Sequence, residues 1–250
     1  MKGKLTYTAT VGGDEPLVFP PVEVQPQDAA IKRIEVQAED GHPASVQIIL
    51  EFDNVPSPGA AMAVAKPEIA RLLSRISFRY NLPVHDPGLP THQFESTTAD
   101  GKTCYAGDVG RAASCAITGK QPRVLAATHQ HALKSFLDGP PSPKDSKYDE
   151  VRRLLDGEDV VERFLFLYSI LLREKGPSQA NVDGFIKKQE PTVALRRSAN
   201  PKTPKLKETV YTKLRNEIGH VCPGRTLDDT RREMEQFLPK LLELTKKAMA

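Results

Sequence analysis

The chain has 250 residues, of which 39% are hydrophobic and 27% charged; this excludes a disordered segment and leaves room for one large domain or two small ones. A formal net charge of +3 is too small to argue for nucleic acid by itself. Three cysteines, Cys104, Cys115 and Cys222, form neither a CxxC pair nor a metal-ligand array, and an odd count points to a reducing compartment.

Met1-Lys2-Gly3-Lys4 leads straight into alternating residues without an apolar leader. Leu5, Tyr7, Ala9 and Val11 alternate with threonines, the period-2 pattern of a half-buried strand. Pro16 to Pro26 holds too many prolines for a central strand and reads as an edge or a connection. Ile34-Val36-Ala38 and Val46-Ile48-Leu50-Phe52 flank turn residues 39–43 and predict an antiparallel hairpin. A helix is expected to start at Pro67, carry Ile69, Leu72, Leu73, Ile76 and Tyr80 on one stripe, and stop at Asn81-Leu82-Pro83. Phe94–Thr98 and Thr103–Tyr105, about an Asp100-Gly101 turn, and Ala112–Thr118 complete the strand candidates.

This front part offers no catalytic site. Gly119-Lys120 resembles the end of a phosphate-binding loop, but Ser114 stands where its first glycine belongs and Gln121 where Ser or Thr would hold magnesium. His129 and His131 have no further ligand at useful spacing, and His42, His85 and His92 are isolated, so neither a metal nor a cofactor is expected.

Thr128–Leu137 reads as a helix, and Asp138-Gly139-Pro140-Pro141-Ser142-Pro143 is the clearest breaker in the chain. Tyr148, Val151, Leu154 and Leu155 begin another helical stripe, and the acids of 156–159 suit the start of the helix that follows. Val161–Leu172 is apolar around nearly its whole circumference, which predicts a helix packed on several sides at the centre of a bundle. Glu162 and Arg163 interrupt the run and it is too short to cross a bilayer, so a soluble, cytoplasmic protein without membrane contact is expected. Ser178–Lys188 reads as a short helix, residues 200–204 as a basic, proline-rich loop, and Lys207–Val221 as an amphipathic helix. Leu227, Met234, Phe237, Leu238, Leu241 and Leu244 mark a final helix that Pro239 should kink or split, with Thr226 and Asp229 as a capping box.

The expectation is an α+β chain: residues 1–125 a β-rich domain with one long helix, 126–144 a helix and Pro-rich linker, and 145–250 an all-α up-and-down bundle. Charge is concentrated before one motif. Lys187, Lys188, Arg196, Arg197, Lys202, Lys205, Lys207, Lys213 and Arg215 face only Glu190 and Glu208, a run that either guides a polyanion or is a solvated surface. It leads into Arg215-Asn216-Glu217-Ile218-Gly219-His220, which is either a kit for cleaving a phosphodiester or the polar end of a structural helix. On a wheel of 100° per residue Val210, Tyr211, Leu214 and Ile218 share an arc, Arg215 lies beside it, and Asn216 and His220 share the far flank. Arg215 and His220 are brought together only if Gly219 ends the helix or a second protomer intervenes.

Arg215-Asn216-Glu217-Ile218-Gly219-His220, at the end of the penultimate long helix, resembles the signature of the HEPN superfamily: an arginine, a polar residue and a histidine in a helical bundle. The resemblance covers roughly 145–250. The β-rich front, the Glu162–Tyr168 run and Tyr211–Asn216 also resemble the MauJ family of methylamine-utilisation accessory proteins. The first resemblance implies metal-independent RNA cleavage, with His220 as general acid or base, Arg215 on the phosphate, Asn216 orienting, the basic run guiding RNA, and a homodimer building the cleft. It is equally consistent with HEPN domains that bind or scaffold without cleaving. The second implies an accessory role with a protein partner.

Overall fold

The structure is a computed structural model that describes residues 1–13, 17–39, 44–97, 100, 102–107, 123–157, 159–198, 205–219 and 226–249. The chain is mixed α/β and divides into two compact units, Met1–Asp156 and Gly157–Ala250. The division falls after the third helix and not within 126–144, for a reason visible in the first unit's side chains.

In the first unit β1 (Lys2–Thr10), β2 (Leu17–Val24), β3 (Ile31–Glu39), β4 (Ser45–Phe52), β5 (Thr91–Thr97), β6 (Thr103–Gly107) and the two-residue β7 (Arg123–Val124) form one sheet in the order β6-β5-β1-β4-β3-β2-β7. All neighbours are antiparallel except β2 and β7. The predicted β3–β4 hairpin forms, with Val36 opposite Ile48 and Ile34 opposite Leu50. Period-2 patterning puts Leu5, Tyr7 and Ala9 on the buried face with Ile48, Leu50 and Phe52. Pro20 and Pro21 sit at a register shift between Phe19 and Val22, so β2 tolerates them where the ladder is already irregular. Gly3 is opposite both Phe52 and Phe94, whose rings stand 6.4 Å apart, and a Cβ there would come within 2.2 Å of Phe94 Cδ1.

α1 (Pro58–Tyr80) begins nine residues before the expected Pro67. Ser57 caps it by accepting from Ala60 N, Pro58 takes the first turn, and the alanine-rich stretch to Ala65 has the propensity to extend the helix. Pro67 is tolerated within it on the exposed side. Asn81, at φ 58°, ends the helix in the left-handed conformation. α2 (Ala127–Asp138) and α3 (Pro143–Asp156) belong to this unit because α1 holds both. The Arg75 guanidinium donates to Phe136 O (3.0 Å), Leu137 O (3.1 Å), Gly139 O (2.6 Å) and Pro140 O (2.8 Å), and forks onto Asp145 at 2.8 and 3.0 Å. Arg71 adds a bond to Leu137 O (2.8 Å) and pairs with Glu68. The Pro-rich 138–143 stretch is thus a tight corner inside the first unit.

The second unit contains α4 (Val160–Lys175), α5 (Gln179–Gln189), a hairpin of β8 (Leu195–Arg197) and β9 (Lys207–Thr209), α6 (Val210–Gly219) and α7 (Leu227–Met249). It is therefore not all-α. Lys207–Thr209, expected as helix, pairs with 195–197, and the helix starts at Val210. Asp159 at the start of α4 pairs with Arg231 (2.6 Å), and Lys175 at its other end reaches Ala248 O (3.0 Å). The first and last helices of the unit therefore run side by side in the same direction, unlike those of an up-down-up-down bundle. α4 is also less enclosed than its composition suggests: Phe164, Leu167, Tyr168, Ile170 and Leu171 are buried, while Phe166 and Ser169 face outward. Asp159 caps α4 and Ser178 caps α5. Thr226 and Asp229 form the reciprocal capping box of α7, which continues unbroken past an exposed Pro239. Ala112–Thr118, Gly119-Lys120 and the 200–204 loop lie outside the described residues, apart from which no described helix is long and apolar enough to cross a membrane.

Replacing Arg75 with Ala removes the charge partner of Asp145 and the donor to the Phe136 and Pro140 carbonyls, and leaves those of Leu137 and Gly139 to Arg71 alone. The expected cost is about 3–5 kcal/mol in denaturant unfolding, with amide protection lost first across α2 and α3. Arg75→Lys recovers only part of it, because an ammonium cannot fork onto Asp145 while reaching the α2 end.

Candidate functional site at helix α6

α6 is built from Thr209 onward. Asp183 stands on the buried stripe of α5 between Val182 and Ile186 and aims its carboxylate at the start of α6. Its Oδ1 accepts from Thr209 Oγ1 and Thr212 Oγ1, each at 2.6 Å, and from Thr209 N at 3.3 Å. An anion at this end satisfies donors that no helix can satisfy internally and complements the dipole. The single Thr212 hydroxyl proton goes to Asp183, so Tyr168 is the donor in its 2.7 Å bond to Thr212 Oγ1. Burial pushes the Tyr168 phenol up to about 12, which keeps it protonated for that role.

One turn further on, Asn216, on the far flank of the helix, is buried. Its Oδ1 accepts from Gln179 Nε2 (2.9 Å) and from Arg215 Nη1 (2.9 Å). Its Nδ2 donates to Glu208 Oε2 (3.3 Å) and Gln179 Oε1 (3.4 Å). Glu208, also buried, takes Ser198 Oγ on its other oxygen. Tyr211 donates to Glu190 (2.9 Å); burial, with that bond and the Glu190 charge, raises its pKa. Lys213 pairs with Glu217 at 3.4 Å along the helix.

Arg215 and Asn216 are thus brought into direct contact. His220 lies outside the described residues, as does Lys202. α6 is described as far as Gly219. Val210, Tyr211 and Leu214 form the buried arc, with Ile218 half-buried at its edge. Members of the basic run differ in exposure. Lys187, Lys188, Arg197, Lys205 and Lys207 are exposed, whereas Arg196 pairs with Glu233, and Lys213 and Arg215 are half-buried on the partners given above. Among the described residues, no group of three or more His, Cys, Asp or Glu could hold a metal ion.

The network residues Asp183, Thr209, Thr212, Gln179 and Glu208 escaped the sequence reading. Two signals were present: an aspartate inside an apolar helical stripe, and threonines three apart at a helix start. No protein-family profile, curated protein or solved structure matches the chain.

The Tyr168 hydroxyl carries a pH signature. Its folded value lies above the ordinary 10.0, so the folded state holds the proton more tightly. The resulting stability is complete below pH 10 and falls as pH rises towards 12, by about 2–3 kcal/mol at most. Denaturant unfolding at pH 9 and pH 11 should show this loss in the wild type. Tyr168→Phe should start about 1 kcal/mol lower and show a smaller decline.

Proposed function

We propose that the chain is an accessory protein of methylamine utilisation, of the MauJ kind, whose helical unit is a HEPN-like binding or scaffolding domain. One observation carries the choice of scaffold over ribonuclease. Both ends of the buried Asn216 amide are taken up by Gln179, Glu208 and Arg215. An asparagine that orients a catalytic histidine or a scissile phosphate must keep one end for it. Here the amide ties α6 to the start of α5 and to β9, and one arm of Arg215 serves the same knot. The motif then acts as a brace that holds α6 against its neighbours.

On this reading the partner is a protein, met by the helical unit or the β-rich unit, and a homodimer through the helices belongs to the same proposal. The exposed basic residues then lie at a solvated or partner-facing surface instead of an RNA track. The alternative is metal-independent endoribonuclease activity through Arg215 and His220.

Two experiments separate these readings. Deletion of the gene should abolish growth on methylamine, and both the wild type and His220→Ala should restore it. Unimpaired growth of the deletion strain would end the accessory reading. In parallel, purified wild type and His220→Ala should be equally inert towards single-stranded RNA in EDTA. Cleavage leaving a 2′,3′-cyclic phosphate, lost in His220→Ala, would establish the ribonuclease instead.

A further inference from the structure

The first unit holds a cleft of about 490 Å³ that the α6 motif does not touch. Its volume is that of a small-ligand site. Met62, Ile69 and Leu73, on one stripe of α1, supply an apolar floor, and Tyr7 of β1 lies beneath them. The segment Asp86-Pro87-Gly88-Leu89-Pro90 forms one wall, with Leu89 94% exposed beside the opening. α3 forms the rim through Asp149, Arg152 and Arg153.

The polar groups of the cleft divide into those already committed and those still open. Arg152, only 5% exposed, donates to Asp86 Oδ1 (2.7 Å), Asp149 Oδ1 (3.0 Å), Val84 O (3.2 Å) and Ser74 Oγ (3.3 Å). The other Asp149 oxygen takes Arg153 Nε at 2.9 Å. Burial pushes the Asp149 pKa up, but the hydrogen bond and charge of Arg152 outweigh this and hold it below the carboxylate range. Both carboxylates therefore already serve arginines.

Two further side chains of the lining have no partner among the described residues. The Tyr7 side chain is 9% exposed, yet its hydroxyl makes no hydrogen bond among the described residues and is not sealed from solvent. Burial raises its pKa, so it stays a neutral donor. Lys66, exposed on the same α1 stripe, has no ion-pair partner among the described residues. Both side chains can donate, which suits a ligand that accepts, and Lys66, Arg152 and Arg153 against Asp86 and Asp149 favour a negative charge. The apolar floor rules against a bare inorganic anion, which would gain nothing from Ile69 and Leu73.

We propose that this cleft binds a small amphipathic acid, its hydrocarbon body on the α1 stripe and its carboxylate near Lys66, with Tyr7 donating to its polar end. The site lies in the β-rich unit and is independent of the proposal made for α6.

Isothermal titration of the full chain with octanoate, octylamine and inorganic phosphate tests it. Octanoate should bind saturably, octylamine about tenfold more weakly, and phosphate not at all. Ala70→Trp, at an exposed helix position lining the cleft, should abolish octanoate binding by filling it. Lys66→Glu should weaken binding about tenfold, and Tyr7→Phe a few-fold, with circular dichroism confirming that each variant folds. Equal binding of octanoate and octylamine, no saturable binding of octanoate, or octanoate binding unchanged in both Ala70→Trp and Lys66→Glu would overturn the proposal.

Discussion

The first unit depends on a charge brought into its interior. Arg75, 3% exposed, gathers the end of α2, the corner after it and the first turn of α3 onto one guanidinium. Those carbonyls have no partner within their own helix, and a permanently charged planar donor serves several of them at once. Without it, a stretch with prolines at 140, 141 and 143 would have no reason to keep one path. α1 can therefore carry both helices while its other side covers the sheet.

The second unit solves the opposite end of the same problem with the opposite charge. Asp183 accepts from Thr209 N and from the Thr209 and Thr212 hydroxyls at the start of α6, as Arg75 donates to the carbonyls at the end of α2. Each group is costly to bury alone and favourable once fully bonded, so each fixes a single arrangement around itself. The Asn216 knot extends this logic to the far end of α6. A helix held at both ends by buried polar contacts is well placed to be a rigid part, and rigidity suits a surface that others read.

Much of the fold was legible because apolar periodicity records which face is covered. The β3–β4 hairpin, α5 and the capping box at Thr226 and Asp229 all follow from local pattern. The α1 start was not legible, because Pro67 is a strong local signal and only the exposure of its face makes it harmless. The 138–143 breaker reads either as an interdomain linker or as the loop between two helices, and the Arg75 contacts that make it the second are tertiary. The α6 motif was legible as a cluster of residues, but not which of its atoms were already engaged. Asn216 reads as sharing the far flank of the helix with His220, and a helical wheel does not show that Gln179 and Glu208 meet it there.

The parallel pairing of α4 with α7 also bears on how the second unit acquires its structure. All of α5, the hairpin and α6 intervene between the two helices, so the unit's main apolar seam is made of contacts distant in sequence. Closing such a seam requires the intervening chain to lose its freedom first, which slows folding relative to a bundle of successive neighbours. During synthesis α4 emerges with Leu167, Ile170 and Leu171 uncovered and must wait for Met234, Leu238 and Leu241. That interval is when this unit is most open to aggregation.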